Sequence, residues 1–438
     1  MATGGGGWAE VAQGCGRPRL LGPVASARVT ARHGGCAALW TRRPEVGLAC
    51  SSFGHKWAPS LSSRSCHGAK SGKLRSSSLT TIESLPWEVL LQIFTYLDVS
   101  SLLCAGCVNK SFYHVSNDKA LGITWMIVLR ERTGKEHVQE QSKACFSDTS
   151  ATLCWNDAVW PPRSSLKALC VYGVTPLFPP SKTPTKHGPH RRSLLAEYDL
   201  TTLEESSTFI GGDKLIKLRC LYPGLLLGCW QEDGELAVIV ANLHFHQLIE
   251  KSMLGSVTCP YRPPPHEPVP DDIVSEYGLL GYHCHIALHN GKSSYMSGSF
   301  HNLFCRKEYI QNGFLQIMVI SLENESQHST ISGGIYIPWN TEFLKGKIQH
   351  CCLMDVTVLD EAEKPFWCVS SPVALQSIST PDTRYNYLGK RQTIDYKDPE
   401  GKVHVELTWL EEQQQYYIVN FVLYLSVRKV NAWFATDY

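Results

Sequence analysis

The 438-residue chain lacks any apolar run approaching the roughly 18 residues that a membrane-spanning helix needs. Charge of one sign is equally scarce. Forty-one basic side chains stand against 40 acidic ones, a net +1, so no global field draws nucleic acid or an anionic membrane to the chain. Catalytic signatures are missing too: there is no HExxH, no GxSxG and no dinucleotide fingerprint after a strand. Gly291-Lys292-Ser293 has the tail of a phosphate loop, but Ile286 stands where its first glycine belongs. No helical pattern longer than three turns is interleaved after residue 121, which argues against parallel βαβ units. Cysteine is plentiful instead. Seventeen are present, an odd number with no framework spacing, which points to reduced thiols in the cytoplasm or nucleus. Asn109-Lys110-Ser111 and Asn324-Glu325-Ser326 match the glycosylation triplet, which carries no weight without secretion.

Residues 1–80 are poor in acids, with Glu10 and Glu45 alone, and rich in Gly, Ser, Arg and Ala. They show no sustained periodicity and cannot bury enough apolar surface to offset the cost of ordering, so a disordered leader is expected there. The glycine run Gly4 to Gly7 and scattered prolines speak against an amphipathic transit helix, and no apolar core follows a charged start as in a secretory signal.

The organising stretch runs from Leu85-Pro86-Trp87-Glu88-Val89-Leu90-Leu91-Gln92-Ile93-Phe94 through Leu97-Asp98. Pro86 has a fixed φ and no N–H, which suits the first turn of a helix, with Ser84 as a cap just outside it. Val89, Leu90, Ile93, Phe94 and Leu97 recur at helical spacing and are expected along one broad face. Asp98 can end this helix and cap a second, from about Ser100 to Gly106, with Leu102 and Leu103 turned inward. Val108, Phe112, Tyr113 and Val115 supply a third apolar group. Some forty residues cannot hide this much apolar surface among themselves, and Leu85 and Pro86 precede the first turn, where they can project outward. The expectation is a docking module.

These residues resemble the F-box, the short helical segment of cullin–RING ubiquitin ligases. The resemblance places an F-box at 81–120 and implies that a Skp-type adaptor binds through Leu85, Pro86, Val89, Leu90, Ile93, Phe94, Leu97, Leu102 and Val108. F-box segments commonly finish with a further helix after the Asn-Asp pair. Here Asn117-Asp118 runs into Lys119 to Arg130, which already looks like a strand, so either the last helix is cut short or the joint to the next domain is unusually tight.

From about residue 121 to 438 the reading is antiparallel β, closing into a barrel or sandwich, so that the fold class is α+β. Glu235 to His246 reads as one strand. Tyr282 to Leu288 and Ser294 to Phe300 read as a hairpin turned at Asn290-Gly291. Gly313 to Leu322, Met354 to Leu359 and Phe366 to Val369 are further strands. Thr393 to Tyr396, Val403 to Leu410 and Tyr416 to Val427 close the chain. Pro176 to Pro189 and Pro260 to Pro270 read as long surface loops.

Several groups invite chemistry, and each has a plainer reading. Cys104 and Cys107 have CxxC spacing without the second pair a zinc site would want, and they fall where a helix packs. His283 with His285, and His244 with His246, sit at strand spacing that would let each pair share a metal, but a third ligand has to come from another strand. Cys351-Cys352 would point to opposite faces as buried thiols. Trp160, Trp339 and Phe366-Trp367 could anchor a partner, although such residues more often fill a β core.

The family resemblance extends through Lys182 to His187, Ala241 to His246, Lys364 to Cys368 and Gly401 to Leu407. It implies a substrate-recognition subunit of an SCF-type ligase, without catalytic residues, cofactor or metal of its own. Its partners would be the adaptor, the cullin and RING subunits and a protein target, with no nucleic acid or membrane. The competing reading is a β-barrel that binds a small ligand or a metal, or an enzyme that uses His and Cys as ligands.

Overall fold

The computed structural model describes residues 82–106, 108–118, 121–156, 159–176, 190–251, 277–378, 387, 389–434 and 438. The expected leader, the proline-rich stretches 177–189 and 260–270, Cys107 and Lys182 to His187 lie outside these residues.

Three short helices come first: α1 Trp87–Phe94, α2 Val99–Gly106 and α3 Lys110–Ser116, entered through a 3-10 turn at Ile82–Ser84. Pro86, with ψ at 148°, is the N-cap of α1, and its carbonyl accepts from the Val89 and Leu90 amides at 3.0 and 3.1 Å. Ser84, expected as a cap, belongs to the 3-10 turn, and the N-cap position itself is taken by Pro86, whose side chain makes no capping hydrogen bond. Helix α1 ends at Phe94, about a turn earlier than its periodicity suggests, so Leu97 falls in the following bend. Asp98 does cap α2, its Oδ1 accepting from the Ser101 amide at 3.0 Å, and Asn109 caps α3 through the Phe112 amide at 2.8 Å. Leu90, Phe94, Leu102, Phe112, Val115 and Leu121 form the module's own core. The rings of Phe94 and Phe112 meet edge to face at 5.4 Å there.

The joint to the rest of the chain is tight. Val99 and Leu103, on the other side of α2, are buried in the core of the following β body. A Cβ placed on Gly173 would lie 2.4 Å from Val99 Cγ1, so glycine at that position lets the helix seat against the strand. Arg191 Nη1 donates to the Tyr96 carbonyl at 3.1 Å across the same joint.

The body opens with β1 Thr124–Glu131, β2 Glu136–Glu140, β3 Lys143–Phe146, β4 Ser150–Trp155, β5 Leu166–Pro176 and β6 His190–Asp199. Helix α4 Leu203–Ser206 leads to β7 Thr208–Gly212, β8 Ile216–Leu221, β9 Leu225–Trp230, β10 Leu236–His244 and helix α5 Phe245–Lys251. Next are β11 Tyr277–His289, β12 Ser294–Arg306, β13 Ile310–Gln311, β14 Phe314–Ile320, β15 Ser329–Ser332, β16 Tyr336–Asn340 and β17 Lys345–Gln349. The chain finishes with β18 Cys351–Leu359, β19 Pro365–Ser377, β20 Lys390–Lys397, β21 Gly401–Leu410, β22 Gln415–Ser426 and helix α6 Val427–Phe434.

Every described strand pair is antiparallel. The orders are β2-β1-β5-β6, β3-β4-β10-β9-β8-β7, a hairpin β16-β17, and a large sheet β12-β11-β18-β19-β20-β21-β22-β14-β13 with β15 also on β22. The large sheet curls until β12 and β14 touch, but no ladder joins them. Strand β18 is buried on both faces. Cys352, Met354, Val356 and Val358 enter the core inside the curled sheet, and Cys351 and Leu353 pack against the six-stranded sheet behind it.

Two strand ends differ from the sequence reading. Strand β10 stops at His244, because Phe245 and Leu248, three residues apart, turn inward on α5. Val427 opens α6 rather than ending β22, with Val430 buried and Trp433 and Phe434 packed on the core.

Candidate adaptor-docking face

Helix α1 divides its apolar residues between two sides. Leu90 and Phe94, four apart, point into the module, while Val89 (43% exposed) and Ile93 (37%), also four apart, stand in solvent. The single broad face expected from periodicity is therefore two faces, one filled by α3 and one uncovered. Pro86 is exposed beside Val89, and Leu85 and Leu97 are half-buried against the module core. Val108, in the turn before α3, is 39% exposed. Leu102 is buried with Leu90 and Phe94 in the module core, so these three residues support the uncovered face from beneath.

Sequence reasoning missed Ile82, Trp87 and Tyr96, which are exposed on the same module. The available signal was their helical or turn position among residues assigned outward. Charge is sparse here: between Leu85 and Leu97 the only ionisable carboxylate or base is Glu88. A predominantly apolar strip of this kind, on a unit with six core side chains, is suited to burial against a complementary protein groove.

The other candidate groups are placed as follows. His244 is fully buried on β10, its Nε2 2.9 Å from Thr357 Oγ1, whereas His246 sits on α5 and donates its backbone amide to His244 Nδ1 at 3.2 Å. The strand spacing proposed for this pair does not exist, because the strand ends between them. Burial pushes their pKa values down to about 3 and about 4. His283 and His285 do lie on one strand, but His283 faces His301 of β12 with Nδ1 atoms 2.7 Å apart, and His285 meets Ser299 Oγ at 2.9 Å. Among the described residues no three His, Cys, Asp or Glu side chains are grouped to hold a metal. Cys351 and Cys352 are buried on opposite faces, and burial pushes the Cys351 thiol up to about 12. Trp339, Phe366 and Trp367 are core residues, and half-buried Trp160 donates to the Ala237 carbonyl at 3.2 Å.

A polar cluster that sequence reasoning did not single out lies deep in the body. Asp355 of β18 accepts from Ser150 Oγ (2.6 Å), Ser370 Oγ (2.6 Å), Thr149 Oγ1 (3.0 Å), Asn242 Nδ2 (3.0 Å) and His289 Nε2 (3.1 Å). The Gly291 amide donates to His289 Nδ1, which leaves Nε2 as the protonated nitrogen facing the carboxylate. Burial would raise the Asp355 pKa, but the hydrogen bond and charge of His289, with His244 and Ser150, outweigh it and hold the carboxyl well below its usual range. Ser150 spends its proton on the carboxylate and Asp355 is fully enclosed, so the cluster ties strands of both large sheets together and presents no nucleophile to solvent.

Comparison with known proteins bears on the module first. An F-box-like family model matches residues 82–121, the span of the three helices. The F-box only protein 15 of Macaca fascicularis is 41% identical over 436 residues, covering 81% of this chain and 100% of the relative. The Homo sapiens protein of that name is 40% identical over 82% of this chain and 86% of its own, and that of Mus musculus 33% over 80% and 99%. No solved structure matches. No described helix is long and apolar enough to cross a membrane. By this likeness over most of its length, the chain belongs to the F-box only protein 15 family of F-box proteins.

Proposed function

We propose that the chain is the substrate-recognition subunit of an SCF-type ubiquitin ligase. Residues 81–120 dock a Skp-type adaptor, which carries the cullin and RING subunits, and residues 121–438 hold a protein target. The chain itself transfers nothing. The RING-bound enzyme carries the ubiquitin, and this protein raises the rate by holding a target lysine close to it. Its thiols suit the reducing cytoplasm or nucleus.

The observation that carries the reading is the uncovered side of α1. Val89 and Ile93 remain exposed although the module is folded and its joint to the body is complete. Leu85, Pro86, Val89, Ile93, Leu97 and Val108 make the adaptor contacts, while Leu90, Phe94 and Leu102 act by keeping the helices in place. The close seat of Val99 on Gly173 matters to the same role, because a stiff joint fixes where the body stands relative to the ligase.

Co-purification with a Skp-type adaptor tests this. Truncating a central anchor costs about 2 kcal/mol, roughly thirty-fold in affinity. The Val89→Asp/Ile93→Asp variant is expected to lose the adaptor while unfolding at the wild-type temperature. Retention of the adaptor at wild-type yield by that folded variant would refute the assignment.

A further inference from the structure

Two irregular strands meet where the large sheet comes round on itself. Strand β12 carries one extra residue against β11 between Phe300 and Leu303, where Asn302 has φ 55°. Strand β14 carries one extra residue, Val319, against β22 between Met318 and Ile320. Bulges of this kind bend a strand, end its regular pairing and are frequent beside binding sites. Cα atoms of β12 and β14 come within 8 Å of one another, although no ladder joins the strands. A third strand between them would hold them about 9.5 Å apart, so the seam admits no added strand. What the two bulges leave is a pit, a cavity of about 780 Å³ that both of them line.

The lining residues decide what the pit can hold. Its floor is apolar: Leu303 and Val319 are buried, and Phe300 packs edge to face on Phe421 with ring centroids 6.0 Å apart. Its rim is apolar as well, yet wet. Phe304, Tyr309 and Met318 all line the pit and keep about half of their surface in water. Exposed apolar side chains scattered singly need no explanation, but a group of them around one opening marks a ligand site. Aromatic rings and a thioether together favour a flat aromatic body. The charge in the pit is of one sign. Arg306 and His301 are among the described lining residues and no carboxylate is. The ion pair of Arg306 with Glu308, at 3.6 Å between two half-exposed side chains, is loose and worth little. The volume lies within the range of small-ligand sites, roughly 300–1,000 Å³.

We propose that this pit binds a small aromatic carboxylic acid. The ring lies on Leu303, Val319 and Phe300 beneath the rim, and the carboxylate accepts from the Arg306 guanidinium. The site belongs to the β body alone, and its chemistry does not rest on the adaptor reading.

Calorimetric titration of the full chain with naphthylacetate tests this, with naphthylethanol as the uncharged molecule of the same ring. Saturable one-to-one binding of the acid is expected, about ten-fold tighter than that of the alcohol, which is the worth of one charge-assisted hydrogen bond. Arg306→Gln should weaken the acid about ten-fold and leave the alcohol unchanged. Met318→Glu sets an anion on the rim and should weaken the acid more than the alcohol. Both positions are exposed, so each variant is expected to unfold at the wild-type temperature. Failure of the wild-type chain to bind the acid, or an equal loss of acid and alcohol in folded Arg306→Gln, would overturn the proposal. So would tighter binding of a hexapeptide with a free C-terminal phenylalanine, which would give the pit to the end of a polypeptide.

Discussion

Among the described residues of the helical module six buried side chains form the core, and α1 leaves Val89 and Ile93 in water; in the β body, β18 alone buries eight of its nine residues. The module's buried residues include one polar side chain, Ser116. The body encloses an ionised aspartate with five side-chain donors. Size is the physical reason for the contrast. A forty-residue unit has too little interior to cover its own apolar surface, whereas a layered body of several sheets can bury even charge if every lone pair finds a donor. The module is thus the part of the molecule with something left to bury, and the body is the part whose order does not wait for a partner.

The strongest way to test that contrast is to remove the body's buried anion. Asp355→Ala strands Ser150, Ser370, Thr149, Asn242 and His289 without their acceptor, and is expected to cost about 3–5 kcal/mol in urea denaturation. A loss under about 1 kcal/mol would mean that the cluster does not hold the sheets together.

Acidification is the next largest perturbation. His244 and His246 are held neutral by burial, at about 3 and about 4, against roughly 6.5 in an unfolded chain. Between those values the unfolded chain binds protons that the folded chain refuses, so stability falls as pH drops below about 6.5, each histidine adding about 1.4 kcal/mol per pH unit. Asp355 acts in the same direction but lower. Its depressed pKa stabilises the fold above the usual carboxylate range near 3.9, and that contribution disappears as pH falls through the folded value. A denaturation free energy that is flat from pH 7 to pH 5 would contradict the burial of these rings.

The smallest expected effect lies at the joint. Gly173→Ala forces its Cβ against Val99 and is expected to cost about 1–3 kcal/mol. Adding Val99→Ala should recover part of the loss, a coupling that a double-mutant cycle reads directly. Strict additivity of the two changes would show that helix and strand are not in contact there.

Much of this arrangement was legible in the residues. Leucine, proline and the helical spacing of α1 marked the module, and Asp98 marked one of its caps, whereas the Asn109 cap of α3 was not read. Asn290-Gly291 gave the β11–β12 turn, where Gly291 has φ 79°. What periodicity could not supply was the division of α1 into a filled side and an open one. Leu90 and Val89 are equally apolar neighbours, and only the positions of α2 and α3 decide which is covered. Helices α5 and α6 were hidden for a related reason, since each continues a strand with residues such as Phe245 and Val427 that suit either conformation. Asp355 did leave a trace, as the lone charge in Cys351 to Leu359. Its five donors come from four separate strand regions and could not be read from any local pattern.

Hydrogen exchange of the full chain with and without a Skp-type adaptor tests the central claim most directly. Added protection is expected at α1 and at the turn around Val108, with exchange across β1 to β22 unchanged. New protection on the β body together with none on α1 would contradict the claim that the open side of that helix is where the ligase takes hold.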